Sequence, residues 1–98
     1  METSVAIVTG ASQGIGRATA IRLARDFAAL VLVARDSANL QSAAEAVKSA
    51  GAKTLVIDLD LSQPTSAQVV VDQALATFGR IDALLNIAGA VPQVDLSR

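Results

Sequence analysis

The chain has 98 residues, 52% of them apolar and 2% aromatic, and its eight basic and nine acidic side chains leave a net charge of −1. That length holds one domain at most, the apolar content excludes a disordered chain, and the charge offers no basic footprint to nucleic acid. Cysteine, histidine, tryptophan and tyrosine are absent, which excludes a disulfide framework, thiolate metal sites and the commonest general base.

Met1-Glu2-Thr3-Ser4 is polar and acidic and lacks the basic start of a signal peptide. No apolar run approaches the roughly 20 residues of a membrane span. A cytoplasmic location is therefore expected, with neither nucleic acid nor membrane as a partner.

Val5 to Thr9 is an apolar, β-branched run that predicts a strand. Gly10, Gly14 and Gly16 come next, and the pattern then becomes helical from about Gln13 to Asp26. Strand, glycine-rich turn and helix in that order make a phosphate loop. Gly10 would turn the chain as it leaves the strand. Gly14 would let the backbone approach a pyrophosphate with no Cβ in the way, and Gly16 would let the helix pack closely on the strand. The first N–H groups of the helix lack intrahelical partners and favour an anion, to which Ser12 can add a hydroxyl donor. The bland alternative for such a turn is a tight connection in any α/β protein. Gly16, Ala20, Leu23, Ala24 and Phe27 share the face expected to be buried. With Phe27-Ala28 after it, that helix should end less cleanly, since Phe tolerates positive φ poorly.

Leu30 to Ala34 predicts a second strand, buried on both faces. Arg35 comes after it, then Asp36 or Ser37 as a helix cap. Leu40, Ala43, Ala44 and Val47 repeat at helical spacing, and Gly51 ends that helix. Thr54 to Ile57 predicts a third strand, running into Asp58-Leu59-Asp60-Leu61. Ser62 and Pro64 mark a third helix start, with Ala67, Val70, Val71, Ala74 and Phe78 as its buried face and Gly79 as its stop. Ile81 to Asn86 predicts a fourth strand, with a turn at Ile87-Ala88-Gly89. Residues 90–98 show no pattern and read as an irregular tail.

Alternating strands and helices imply βαβ units in a parallel sheet, and right-handed crossovers restrict their order. Two helices on one face and one on the other give strand order 3-2-1-4. This is an α/β, Rossmann-like sheet of four strands and three helices, an incomplete doubly wound fold. Its direction reverses between strands 1 and 4, where such sheets bind ligands. The glycine turn and the turn at Asn86 to Gly89 meet at that crevice. With one helix on the second face, Leu30 to Val33 and Leu55 to Ile57 are expected to leave apolar side chains uncovered there, and strand 4 is expected to be an open edge.

Thr9-Gly10-x-x-x-Gly14-Ile15-Gly16, taken with the strands and turns beyond it, resembles the cofactor loop of the short-chain dehydrogenases/reductases, and the resemblance runs from Val5 to Gly89. It implies that Gly10, Ser12, Gln13, Gly14, Ile15 and Gly16 surround a dinucleotide. It implies that Asp60 accepts a hydrogen bond from the adenine amino group while the Leu61 N–H meets a ring nitrogen. Asp58 competes for that role, but the spacing to Asn86 favours Asp60; capping of the next helix is the alternative. Asn86-Ile87-Ala88-Gly89 stands where the family has Asn-Asn-Ala-Gly. Asn86, Ala88 and Gly89 match and would serve the cofactor ribose, and Ile87 departs. Asn86 could equally be structural, bonding backbone across strands. An NAD site ends strand 2 with an acid, an NADP site with a cation. Here Ala34 holds the acid's position and Arg35 is next, so NADP(H) is favoured over NAD(H), although Asp36 could reach a ribose and Gln13 is neutral.

The resemblance implies an oxidoreductase moving hydride between NADP(H) and a small-molecule carbonyl or alcohol substrate. In the family the acid/base is the tyrosine of a Tyr-x-x-x-Lys pair, assisted by a serine and an asparagine, all beyond the strand-4 turn. This sequence has no tyrosine, and its lysines are Lys48 and Lys53. No residue of it is assigned as catalytic. The 98 residues are expected to be the N-terminal half of an NAD(P)-binding Rossmann domain, inactive alone, from a homo-oligomeric protein about twice this length or more. A non-catalytic dinucleotide-binding or interaction module is the alternative. A methyltransferase-like domain with Asp36 on the ribose is a lesser one.

Overall fold

The structure, a computed structural model, describes residues 4–11, 14–35, 37–59 and 65–87, with only the backbone of Ser37. The elements are β1 (Val5–Thr9), α1 (Gly14–Leu23), β2 (Ala29–Ala34), α2 (Ser37–Ser49), β3 (Lys53–Asp58), α3 (Ser66–Phe78) and β4 (Ala83–Asn86). All four strands are parallel, in the order β3-β2-β1-β4, as the βαβ alternation predicts.

The period of two in β1 and β2 sorts their side chains onto two faces. Ala6, Val8, Leu30 and Leu32 pack with Ala20 and Ala24 of α1 and with Leu40, Ala44 and Val47 of α2. Val5, Ile7, Val31 and Val33 pack with Val70 and Ala74 of α3. Every residue of both strands is buried. Each fully buried Val, Leu or Ile contributes about 1.5–3 kcal/mol, so this two-sided core is the main source of stability. The expectation of an uncovered second face on β2 is therefore wrong. Val31 and Val33 are fully buried and Ile57 is 5% exposed, because α3 lies over both β2 and β3. Leu55 is half-buried. Apolar surface is left elsewhere, at Leu84 of the edge strand β4, 53% exposed, and at Leu75 of α3, 44% exposed.

Helix ends obey their local chemistry. Gly51 (φ +110°) succeeds α2 in a Schellman arrangement, with Gly51 N–H donating to Lys48 O at 3.0 Å and Ala52 N–H to Val47 O at 3.4 Å. Gly79 (φ +81°) closes α3 by donating to Leu75 O at 2.9 Å. No left-handed residue ends α1. It stops at Leu23, three residues short of the sequence expectation, and continues as a tight turn in which Arg25 N–H donates to Arg22 O and Asp26 N–H to Leu23 O. α3 runs from Ser66, with the expected start signals Ser62 and Pro64 outside the described residues, and Ala67 is exposed while Ser66 is buried. β4 begins at Ala83, two residues later than expected. Asp82 uses its own N–H and its carboxylate to hold Val5 O and Val5 N–H, both at 2.8 Å.

Candidate functional site

The carboxyl ends of the four strands form one rim, and the candidate residues gather along it. β1 ends at Thr9, and Gly10 (φ +66°) turns the chain out of the sheet. Ala11 N–H then donates to Val33 O at 3.3 Å, which ties the loop to the end of β2. Gly14 (φ +61°) opens α1. A Cβ there would meet nothing, so the space in front of its backbone is clear. At Gly16 a Cβ would overlap the carbonyl oxygen of Gly10 and crowd its carbon. The two glycines therefore do different work. Gly16 is required by packing, and Gly14 by a left-handed backbone facing open space. Between them Ile15 is 76% exposed. Ser12 and Gln13 lie outside the described residues.

On the β2 side, buried Ala34 ends the strand and Arg35 comes next, exposed. Asp58 ends β3 beside Ala34 and is exposed as well. Asp60 and Leu61, placed by sequence against an adenine, lie outside the described residues, as do Asp36, Ala88 and Gly89.

On the β4 side, Asn86 lies abreast of Thr9. The Thr9 hydroxyl donates to Asn86 Oδ1 at 2.8 Å and accepts from Ile87 N–H at 3.0 Å. Leu85 O, at 3.4 Å, is the more distant acceptor for the same hydroxyl. Of the two sequence readings of Asn86, the structural bond across strands is therefore made, with its side chain held by Thr9 rather than by backbone. Sequence reasoning missed Thr9 as the hub of this contact. Its signal was a single hydroxyl ending an otherwise apolar strand.

The sheet order places β1 between β2 and β4, so the crevice opens where chain direction reverses, with the glycine loop on one wall and Asn86 on the other. α1 starts at Gly14 on this rim, with the unpartnered N–H groups that any helix start carries, and Arg35 follows the end of β2. Such a site suits an extended anion that lies over a helix N-terminus. Among the described residues there is no cluster of acidic or sulfur groups able to hold a metal ion.

The family model for short chain dehydrogenase matches residues 4–98. The chain belongs to that family. An uncharacterised oxidoreductase of Methylorubrum extorquens is 43% identical over 90 residues, a match covering 91% of this chain and 36% of the relative. A metagenomic short-chain oxidoreductase solved in complex with NADP superimposes with a TM-score of 0.78 at 37% identity, over 86% of this chain and 38% of that one. An NAD+-bound xylitol dehydrogenase superimposes with a TM-score of 0.79 at 32% identity, over 85% of this chain and 32% of that one. The chain spans about a third of the length of the curated relatives it matches. Relatives of both cofactor types share the short-chain dehydrogenase fold, so family membership alone does not choose between NADP and NAD. No helix among the described residues is long and apolar enough to cross a membrane.

Proposed function

We propose that this chain forms the adenosine-side half of an NADP(H)-binding Rossmann domain, in an oxidoreductase that transfers hydride between NADP(H) and a carbonyl or alcohol substrate. The observation that carries the reading is the glycine loop at the switch point. A helix N-terminus is packed onto the strand through Gly16, and an unobstructed left-handed backbone is presented at Gly14. A pyrophosphate fits such a cradle because it needs N–H donors at close range and no Cβ between them.

The cofactor, when bound, supplies or accepts the hydride. This chain's residues bind and orient it. Backbone N–H groups at the start of α1, with Gly10, Ser12, Gln13, Gly14, Ile15 and Gly16, hold the pyrophosphate. Asp60 and Leu61 hold the adenine, and Asn86, Ala88 and Gly89 the ribose. Arg35 pairs with the 2′-phosphate, and Ala34 supports this assignment because it offers no carboxylate to the ribose hydroxyls. With no tyrosine in the sequence, proton transfer to the substrate is assigned to none of these residues. The cytoplasm is the expected compartment, and a homo-oligomer the expected assembly.

Isothermal titration of wild type and Arg35→Ala with NADP+ and NAD+ tests the cofactor assignment. The variant should lose about 1–3 kcal/mol of NADP+ affinity, the size of a charge-assisted contact, and keep its affinity for NAD+. Equal losses for both cofactors would remove Arg35 from the phosphate site.

A further inference from the structure

Resting on the nucleotide reading above, we propose that Ile87 is a positioning residue for the dinucleotide. Its side chain seats the turn after β4 on the apolar cluster that also carries the glycine loop, and so sets the spacing of the two crevice walls. Ile87 is where this turn departs from the family's Asn-Asn-Ala-Gly, and the nucleotide reading gives its side chain no part. The alternation of β4 fixes its direction. β4 pairs with β1 as Ala6↔Ala83, Ile7↔Leu84, Val8↔Leu85 and Thr9↔Asn86. Ala83 and Leu85 therefore share a face with Ala6 and Val8, and Leu84 and Asn86 share the other with Ile7 and Thr9. Ile87 returns to the first face. Like Ala83, it packs against the cluster that contains Ala6, Val8, Ala11 and Ala20.

The turn is thus gripped from both faces of the sheet. On one face the Thr9 hydroxyl donates to Asn86 Oδ1 at 2.8 Å and accepts from Ile87 N–H at 3.0 Å. On the other the half-buried Ile87 side chain meets the cluster. The opposite wall of the crevice rests on the same cluster. Ala11 of the glycine loop and Ala20 of α1 are fully buried in it, and Ala11 N–H is tied to Val33 O. A dinucleotide that spans the crevice needs both walls at a fixed separation, because hydrogen bonds weaken steeply outside a narrow range of length and angle.

The seat requires an apolar side chain. Every buried member of the cluster is an alanine, valine or leucine. The Thr9 hydroxyl has given its one hydrogen to Asn86 and lies on the opposite face. An amide at position 87 would either sit among apolar groups without a partner or turn to solvent and release the cluster. Truncation to alanine would release it too, whereas valine keeps most of the contact.

The test measures NADP+ affinity by titration for wild type, Ile87→Asn, Ile87→Ala and Ile87→Val. The control is Leu84→Asn, which makes a like change at an exposed residue on the other face of β4. Amide hydrogen exchange of Ala11 is followed relative to that of Val31, fully buried in β2. Melting curves fix a temperature at which every variant is folded. A side chain that served stability alone would lower the melting temperature, leave the affinity of the folded protein unchanged and not raise the Ala11 to Val31 exchange ratio. Ile87→Asn and Ile87→Ala should weaken NADP+ binding about tenfold and raise that ratio. Ile87→Val should keep most of the affinity, and Leu84→Asn should move neither readout. If Ile87→Asn does not fold, Ile87→Ala decides. The proposal is overturned if the folded variants bind NADP+ as wild type does, if the ratio does not rise, or if Leu84→Asn matches them. Wild type that binds NADP+ in those cases keeps the nucleotide reading while Ile87 fails. A wild type that binds no NADP+ overturns both.

Discussion

Three glycines within seven residues are needed for different reasons, and substitution separates two of them. At Gly16 a methyl group would run into the backbone of Gly10, which has no flexible end to swing away. Gly16→Ala should destabilise the fold by about 3 kcal/mol, the upper end of the usual overpacking cost, in a thermal or denaturant melt. A wild-type melting curve would mean that the loop and helix part without cost. Thr9 presents a different residue-scale contact. Its hydroxyl holds Asn86 Oδ1 and accepts the Ile87 N–H, so Thr9→Val keeps the shape and deletes both bonds. A loss of about 1–3 kcal/mol in stability is expected, with weaker nucleotide binding because the turn after β4 loses its anchor. Thr9→Val binding nucleotide as tightly as wild type would detach that anchor from function. The glycines are legible in the sequence because only glycine suits a left-handed or crowded position. The role of Thr9 is not, since a threonine in an apolar run reads as one more β-branched strand residue and its partners lie 77 and 78 residues away.

At the scale of elements, β4 is the short strand, four residues long, and side chains pin it to β1 at both ends. Thr9 binds the outgoing end. At the incoming end Asp82 bonds Val5 N–H and takes a forked contact from Arg80, with Nε and Nη2 at 2.7–3.2 Å from its oxygens. The Arg80 hydrogen bonds first, and then the Val5 N–H, hold the Asp82 carboxyl below the usual carboxylate range. A folded pKa below the unfolded one adds stability that is fully present above about pH 4 and disappears as pH falls through the folded value. Asp82→Asn should therefore lower the melting temperature at pH 7 and converge with wild type in strong acid. A difference that persists unchanged at pH 2 would show that charge has no part in the clasp. Sequence pattern locates every element but misjudges some ends. The start of β4 moves from Ile81 to Ala83 because Asp82 binds β1 through its side chain as well as its backbone. The end of α1 retreats because Phe27 tolerates positive φ poorly and no residue there adopts the left-handed conformation. The exposure of Ala67 shows that the buried face of α3 is narrower than apolar spacing implies.

For the whole molecule, strand order and helix layering derive from alternation and handedness alone, so both are legible in the amino-acid sequence. Coverage of the sheet is not, because it depends on how far one helix reaches across two strands. α3 reaches over β2 and β3, and the exposed apolar side chains among the described residues include Leu84 on the edge strand and Leu75 on α3. An open edge beside exposed leucine favours association. Sedimentation velocity of the 98-residue chain should show concentration-dependent association, reduced by Leu84→Lys. A monomer at every concentration would show that this edge is blunt enough alone. The most direct measurement of the central claim is titration of the protein with NADP+, alongside Gly14→Ala. That substitution puts a Cβ into the open space of the cradle and adds about 1–3 kcal/mol of backbone strain at positive φ. Saturable binding by wild type, lost in a Gly14→Ala variant that keeps its circular dichroism spectrum, is the predicted result. No binding by wild type, or undiminished affinity in the folded variant, would contradict the assignment of this crevice to a dinucleotide.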